Sequence, residues 1–230
     1  MSIYAIGDLH LSHKQDKPMD VFGEGWDNHI EKIKNNWNQF VKDDDLVIVV
    51  GDISWAMQLP EALPDLMWLS DLKGTKLLIR GNHDYWWSSI SKLRAVLPPT
   101  LNALQNDHFT WEEYYICGTR GWICPGEEGF DNEGDERIYI REVHRLGLSL
   151  ESAASSGAGK IIAALHFPPF NRKNQPSGFS ELLEQYNVET CAFGHIHDHG
   201  RDYIFQGTRN GVRYRFAAAD GIGFNPLRLV

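Results

Sequence analysis

Lys76-Leu77-Leu78-Ile79-Arg80-Gly81-Asn82-His83-Asp84 is the stretch on which the fold turns. An apolar run of strand length meets a glycine, and polar side chains follow. Short apolar runs bounded by turn residues read as buried strands. Glycine suits a tight turn in which the backbone passes close to a neighbour. The same construction recurs on both sides. Upstream, Ile3–Ile6 leads into Gly7-Asp8-Leu9-His10, and Leu46–Val50 leads into Gly51-Asp52. Downstream, residues 161–165 lead into His166, and residues 191–193 lead into Gly194-His195-Ile196-His197.

The segments between these runs are helical in pattern. Ile30, Ile33, Trp37 and Phe40 fall on one face at spacings of three and four, with Asp27 or Asn28 placed to cap. A second helix is predicted over residues 61–72, with Pro60 in its first turn. A third spans 136–150, where Tyr139, Val143, Leu146 and Leu150 align, and a fourth spans 180–186. Strand followed by helix, repeated, predicts an α/β fold. Toward the end, 202–206 and Val212–Phe216 read as two strands of a hairpin about Asn210-Gly211. Residues 152–159 read as a loop, and 217–230 as a last strand or a packed tail. The chemical motifs run on past 159, so residues 1–230 are expected to form a single domain.

The chain has 230 residues and a net charge of −9, which disfavours nucleic-acid backbones and anionic membranes as partners. No apolar stretch is long enough to span a bilayer, and a strand begins where a signal peptide would lie. Three cysteines without metal spacing, Cys117, Cys124 and Cys191, suit buried thiols in a reducing compartment, so a cytoplasmic location is expected.

In α/β sheets ligands bind at the C-terminal ends of strands, and here each such end carries Asp, Asn or His. His195-x-His197 on extended backbone points both rings to one side. Taken in order, Asp8-x-His10, Gly51-Asp52, Gly81-Asn82-His83-Asp84, His166 and Gly194-His195-x-His197 resemble the calcineurin-like metallophosphoesterase family. That family's pattern is D-x-H, G-D, G-N-H-D/E, H, G-H-x-H, and the match spans positions 8 to 197. The resemblance implies a four-layer α/β/β/α sandwich with mixed sheets. It also implies two divalent metal ions per chain. Asp8, His10 and His197 would hold the first, Asn82, His166 and His195 the second, and Asp52 would bridge them. A metal-bridging hydroxide would attack the phosphate ester. His83 would sit over the phosphate as a proton donor, and Asp84 would orient His83 or serve as a loop or capping carboxylate.

Imidazole, carboxylate and amide ligands without thiolate suit Mn, Fe, Zn or Ni, with Mn favoured. Two divalent ions balanced only by Asp8 and Asp52 keep about +2 for a phosphate group. The phosphoprotein phosphatase branch carries G-D-x-x-D-R-G, whereas this chain has Gly51-Asp52-Ile53-Ser54-Trp55, a departure that argues against that branch. Three loops are placed to contact substrate: 11–26 with His13, 119–137 with Arg120, and 167–179 with Arg172. Trp55, Trp86, Trp87 and Trp122 stand near the motif loops, with core packing the first reading for most of them. The expected substrate is a small-molecule or nucleotide phosphodiester. A phosphomonoester, then a nucleic acid, follow as alternatives, and a non-catalytic scaffold ranks last because every motif residue is present.

Overall fold

A computed structural model describes residues 1–14, 17, 19 and 23–230. Part of the expected substrate loop 11–26 therefore lies outside the described residues. The first sheet has the order β11 (Leu227–Arg228), β1 (Ile3–Ile6), β2 (Leu46–Val50), β3 (Thr75–Ile79), β4 (Leu101–Ala103). Strands β1 to β4 run parallel and β11 antiparallel. The second sheet has the order β5 (Phe109–Trp111), β6 (Tyr114–Thr119), β7 (Lys160–Leu165), β8 (Thr190–Phe193), β10 (Val212–Phe216), β9 (Gly207–Arg209). Its inner four strands are parallel, and antiparallel β5 and β9 form its edges.

Alternation along the strands divides the core into three slabs. Ile3, Ala5, Leu46, Ile48, Leu77 and Ile79 face Ile116, Ile162, Ala164 and Ala192 between the sheets. On the opposite face of the first sheet, Ile6, Val47, Val49 and Leu78 pack against Ile33 and Trp37 of α1 (His29–Phe40) and Leu66 and Leu69 of α2 (Leu59–Ser70). A short α3 (Ile90–Arg94) adds Leu93 to this slab. On the outer face of the second sheet, Cys117, Ala163, Leu165, Cys191 and Phe193 meet Leu146 and Leu150 of α4 (Gly134–Ser155) and Phe179 and Leu183 of α5 (Gly178–Gln185). Period-two strands buried on both faces require a layer on each side. The result is the four-layer α/β/β/α sandwich.

Several local expectations change. Helix α4 runs on to Ser155, so 152–155 are helical and not loop. The hairpin turn falls at Asn210-Gly211, both with positive φ (49° and 86°), but its first strand is Gly207–Arg209. Residues 198–203 form a 3-10 turn in place of the start of the strand expected at 202–206. A two-residue turn with φ above zero at both positions fixes the pairing of Arg209 with Val212, so the strand lies next to the turn. The three cysteines are buried and free, and burial pushes the Cys117 and Cys124 thiols up to about 12.

Candidate metal centre

The C-terminal ends of β1, β2 and β3 in one sheet, and of β7 and β8 in the other, point to one edge of the sandwich. The sheets are stitched there: Gly7 N–H donates to Ala217 O at 2.7 Å, and Ala219 N–H donates to Gly7 O at 3.0 Å. To turn side chains inward from adjoining strand ends, the chain adopts left-handed backbone at Asp8 (φ 56°), His10 (47°), Asp52 (50°) and His195 (75°). Non-glycine residues enter this region at a free-energy cost, and such outliers concentrate at functional sites. Two glycines are required by close approach. A Cβ on Gly81 would lie 2.1 Å from Asp52 Oδ1 and 2.2 Å from its backbone nitrogen, and one on Gly194 would lie 2.3 Å from Asp8 Oδ2.

Three overlapping groups bring metal-competent atoms within 4.8 Å of one another: Asp8, His10 and His197; His10, Asp52 and His83; Asp8, Asp52 and His166. Asp52 stands between the halves, with Oδ2 3.9 Å from His10 Nε2 and Oδ1 3.5 Å from His166 Nε2. Asp8 Oδ1 lies 3.5 Å from His197 Nε2. His166 Nδ1 donates to Val50 O at 3.0 Å, which turns Nε2 toward the cluster. His166 Nε2 lies 2.6 Å from Asn82 Oδ1 and 3.2 Å from His195 Nδ1. Two imidazole nitrogens and an amide oxygen gathered this closely suit a cation. His10 turns its Nε2 to the same centre, 3.9 Å from Asp52 Oδ2. The residues therefore fit divalent metal ions of the kind that take nitrogen and oxygen ligands.

Electrostatics bear the mark of this crowding. Burial alone would raise the Asp8 pKa, but His197 and His166 outweigh it and hold the carboxyl below its usual range. Asp52 is likewise held low, because His166, His83 and His10 outweigh its burial. Burial pulls His10 down to about 4 and His195 to about 3, which keeps both rings neutral as ligands must be. For His197, burial is outweighed by hydrogen bonds to Asp220 and Asp8, which lift it to about 10. As a metal ligand His197 would give up that proton.

Other expected residues sit differently. His83 is half-buried beside the cluster, its Nδ1 2.7 Å from Asp52 Oδ2, and the Asp52 hydrogen bond outweighs burial and raises its pKa. Among the described residues Asp84 makes no hydrogen bond to the His83 ring and takes the other expected reading, a loop carboxylate, although its charge is among the causes that raise the His83 pKa. Its carboxylate accepts from Gly81 N (2.7 Å), Ile53 N (2.9 Å), Ser54 N (3.2 Å) and Trp86 Nε1 (3.0 Å). It is the clasp between the turns after β2 and β3. Burial first, then the Asp52 charge, push it up to about 6.

The three basic candidates are already engaged. His13 contacts buried Asp65 of α2 at 2.6 Å. The Arg120 guanidinium pairs with buried Glu142 of α4 at 3.2 Å and lies over Trp122, while its backbone O accepts the His166 N–H at 3.0 Å. Arg120 thus supports the strand end and does not face the cluster as a free cation. Exposed Arg172 is held by Glu127 at 3.0 Å and Glu128 at 3.5 Å. Of the tryptophans, Trp86 and Trp87 are core, whereas Trp55 stacks on His10 at 4.7 Å and lies 4.7 Å from His83. Two contributors were missed. Buried Trp26 meets His10 and His197 edge-on, and Asp220 Oδ1 lies 3.0 Å from His197 Nδ1. Asp220 belongs to a 3-10 turn, Ala219–Ile222, whose sequence carries no ligand motif.

The model of the calcineurin-like phosphoesterase family matches residues 1–199. The "Gene 66 protein" of Mycobacterium phage L5 is 35% identical over 77 residues, covering 34% of this chain and 37% of that protein. Its counterpart in phage D29 is 34% identical over 84 residues, covering 36% and 40%. This chain's matched stretch thus spans about two fifths or less of those relatives. Among solved structures, TT1561 of Thermus thermophilus aligns with TM-score 0.55 at 15% identity, covering 85% of this chain and 81% of that one. A protein of unknown function from Aquifex aeolicus, AQ665, aligns with TM-score 0.51 at 15% identity, covering 99% and 95%. These two likenesses concern the fold, while the family match covers most of the chain and includes every motif residue from Asp8 to His197. The chain belongs to the calcineurin-like phosphoesterase family.

Proposed function

We propose that the chain hydrolyses a phosphate ester with two divalent cations. Asp8, His10 and His197 hold one, Asn82, His166 and His195 hold the other, and Asp52 lies between them. The observation that carries this reading is the convergence of His166 Nε2, Asn82 Oδ1 and His195 Nδ1, three metal-competent atoms, with Asn82 Oδ1 and His195 Nδ1 at 2.6 and 3.2 Å from His166 Nε2. When bound, two such ions acidify water, orient the ester and offset charge developing on the phosphoryl oxygens. The chain's own part is to fix the ligands from both sheets and to hold His83 at the cluster. There the His83 ring gives a proton to the departing oxygen.

Manganese is the favoured metal, given ligands without thiolate. The substrate is read as a small-molecule or nucleotide ester, with a phosphodiester ahead of a monoester, since a net charge of −9 disfavours a polyanionic strand. The test uses metal-stripped protein with and without Mn²⁺ on bis(4-nitrophenyl) phosphate and 4-nitrophenyl phosphate. Turnover that requires Mn²⁺ and falls about 10²- to 10⁴-fold in His83→Ala is expected. Undiminished turnover in that variant would remove His83 from the reaction.

A further inference from the structure

Beside the cluster lies a cavity of about 210 Å³, and the two share a residue, His195. Phe167 leaves β7 directly after His166 and packs against the His195 ring, with centroids 3.8 Å apart. Beyond it, Phe170, Phe205, Ile196 and Ile204 complete a mostly hydrocarbon wall, and Phe170 meets Phe205 edge-on at 5.4 Å. A phosphoryl group at His166, Asn82 and His195 would have this cavity as its neighbour.

Among the described residues most polar groups in the wall are occupied, the exceptions being Glu127 Oε1 and the Tyr203 hydroxyl. Asn171 Nδ2 donates to Pro125 O and Gln175 Oε1, while its Oδ1 accepts from Lys173 N and Gln175 N. Glu127 Oε2 accepts the Arg172 backbone N–H at 2.6 Å, while Oε1 is charge-paired with the Arg172 guanidinium at 3.0 Å but has no hydrogen bond. The Cys124 thiol points to the carbonyls of Trp122 and Pro168. A nucleobase placed here would have only Glu127 Oε1 and the Tyr203 hydroxyl for the several donors and acceptors of its polar edge, and those left unmatched cost affinity. At the rim Glu127 and Glu128 exceed Arg172 by one charge, so a second anionic group at the far end is disfavoured. A hydrocarbon group meets neither obstacle. An apolar cavity of about 150 Å³ takes benzene, so 210 Å³ corresponds to about eight carbons.

We propose that this cavity receives a hydrocarbon group of the ester, making the substrate an alkyl or aryl phosphate ester and not a nucleotide. The inference rests on the phosphoesterase reading, because the phosphoryl group fixes which end of the ligand enters.

Binding of methyl-, butyl- and octylphosphonate and of adenosine 5′-monophosphate to the Mn²⁺-loaded protein is measured by calorimetry. Affinity is expected to rise about fourfold per buried methylene, with octylphosphonate tighter than the nucleotide. Ile204→Glu, which places a carboxylate in the wall, is expected to flatten the chain-length dependence. Equal affinity for methyl- and octylphosphonate, absence of binding by all of them, or tighter binding of the nucleotide would overturn the proposal. Turnover of the nitrophenyl esters by the same preparation keeps the two readings apart. Turnover with no chain-length dependence sinks the cavity proposal alone. Chain-length-dependent binding without turnover sinks the hydrolase reading and keeps the cavity.

Discussion

At the residue scale, His83 and Asp84 are adjacent in sequence and opposite in role. The His83 ring stands beside Asp52 at the edge of the cluster, while the Asp84 carboxylate is fully buried and holds backbone N–H groups from two turns. Removing a buried acceptor strands every donor it served, at about 1–3 kcal/mol each before relaxation. Asp84→Ala is therefore expected to destabilise the protein by about 3 kcal/mol or more, read as a fall in the urea midpoint; an unchanged midpoint would mean that the clasp carries no stability. Asp220 makes the complementary case. A carboxylate that receives the far ring nitrogen of a ligating histidine fixes the ring and strengthens the ligand, and losing it lowers metal affinity about 10- to 100-fold. Asp220→Asn should show that loss in a Mn²⁺ titration, whereas affinity equal to the parent would leave Asp220 without a role at the centre. The motif residues were legible in sequence because their spacing and glycines are rigidly tied to strand ends. Asp220 was not, because it reaches His197 from a turn 23 residues downstream through the fold alone.

At the element scale, the strand-to-turn junctions are the parts under tightest constraint. Gly81→Ala forces a methyl group into Asp52 Oδ1 and its backbone nitrogen, so either the turn after β3 or Asp52 must move. The expected outcome is loss of most Mn²⁺ binding together with a lower melting temperature, seen by titration and calorimetry; a variant that binds Mn²⁺ like the parent would refute the close approach. Buried parallel strands were readable as apolar runs. β6 was not, because Tyr114–Thr119 mixes aromatic, thiol, glycine and hydroxyl side chains and carries no ligand at its end. The strand at 202–206 was misplaced for a related reason. Its apolar residues, Ile204 and Phe205, line the cavity beside His195 and not a sheet face. Apolar character alone does not distinguish a sheet face from a pocket wall.

At the scale of the whole molecule, the centre joins two sheets. Asp8, Asp52 and Asn82 come from one, and His166, His195 and His197 from the other, so a cation binding between them ties the halves of the sandwich together. The layered architecture followed from the family resemblance more than from periodicity, since strands buried on both faces look alike whether one sheet or two is being built. Among the described residues no helix is long and apolar enough to cross a membrane. A ligand that binds only the folded state adds about 2.7 kcal/mol at 100 times its Kd. Two such sites together add about 5.4 kcal/mol, so saturating Mn²⁺ is expected to raise the melting temperature by about 10–20 °C, given about 2–4 °C per kcal/mol in a chain of this size, and EDTA to reverse it.

The most direct test of the account is the metal stoichiometry of the parent protein beside His195→Ala and Asp52→Ala, measured by calorimetric titration of the stripped chains with Mn²⁺ and checked by elemental analysis. The account predicts two ions per parent chain, one in His195→Ala with its site at Asp8, His10 and His197 retained, and weakened binding of both in Asp52→Ala. One ion or none in the parent, or two in His195→Ala with unchanged affinity, would contradict it.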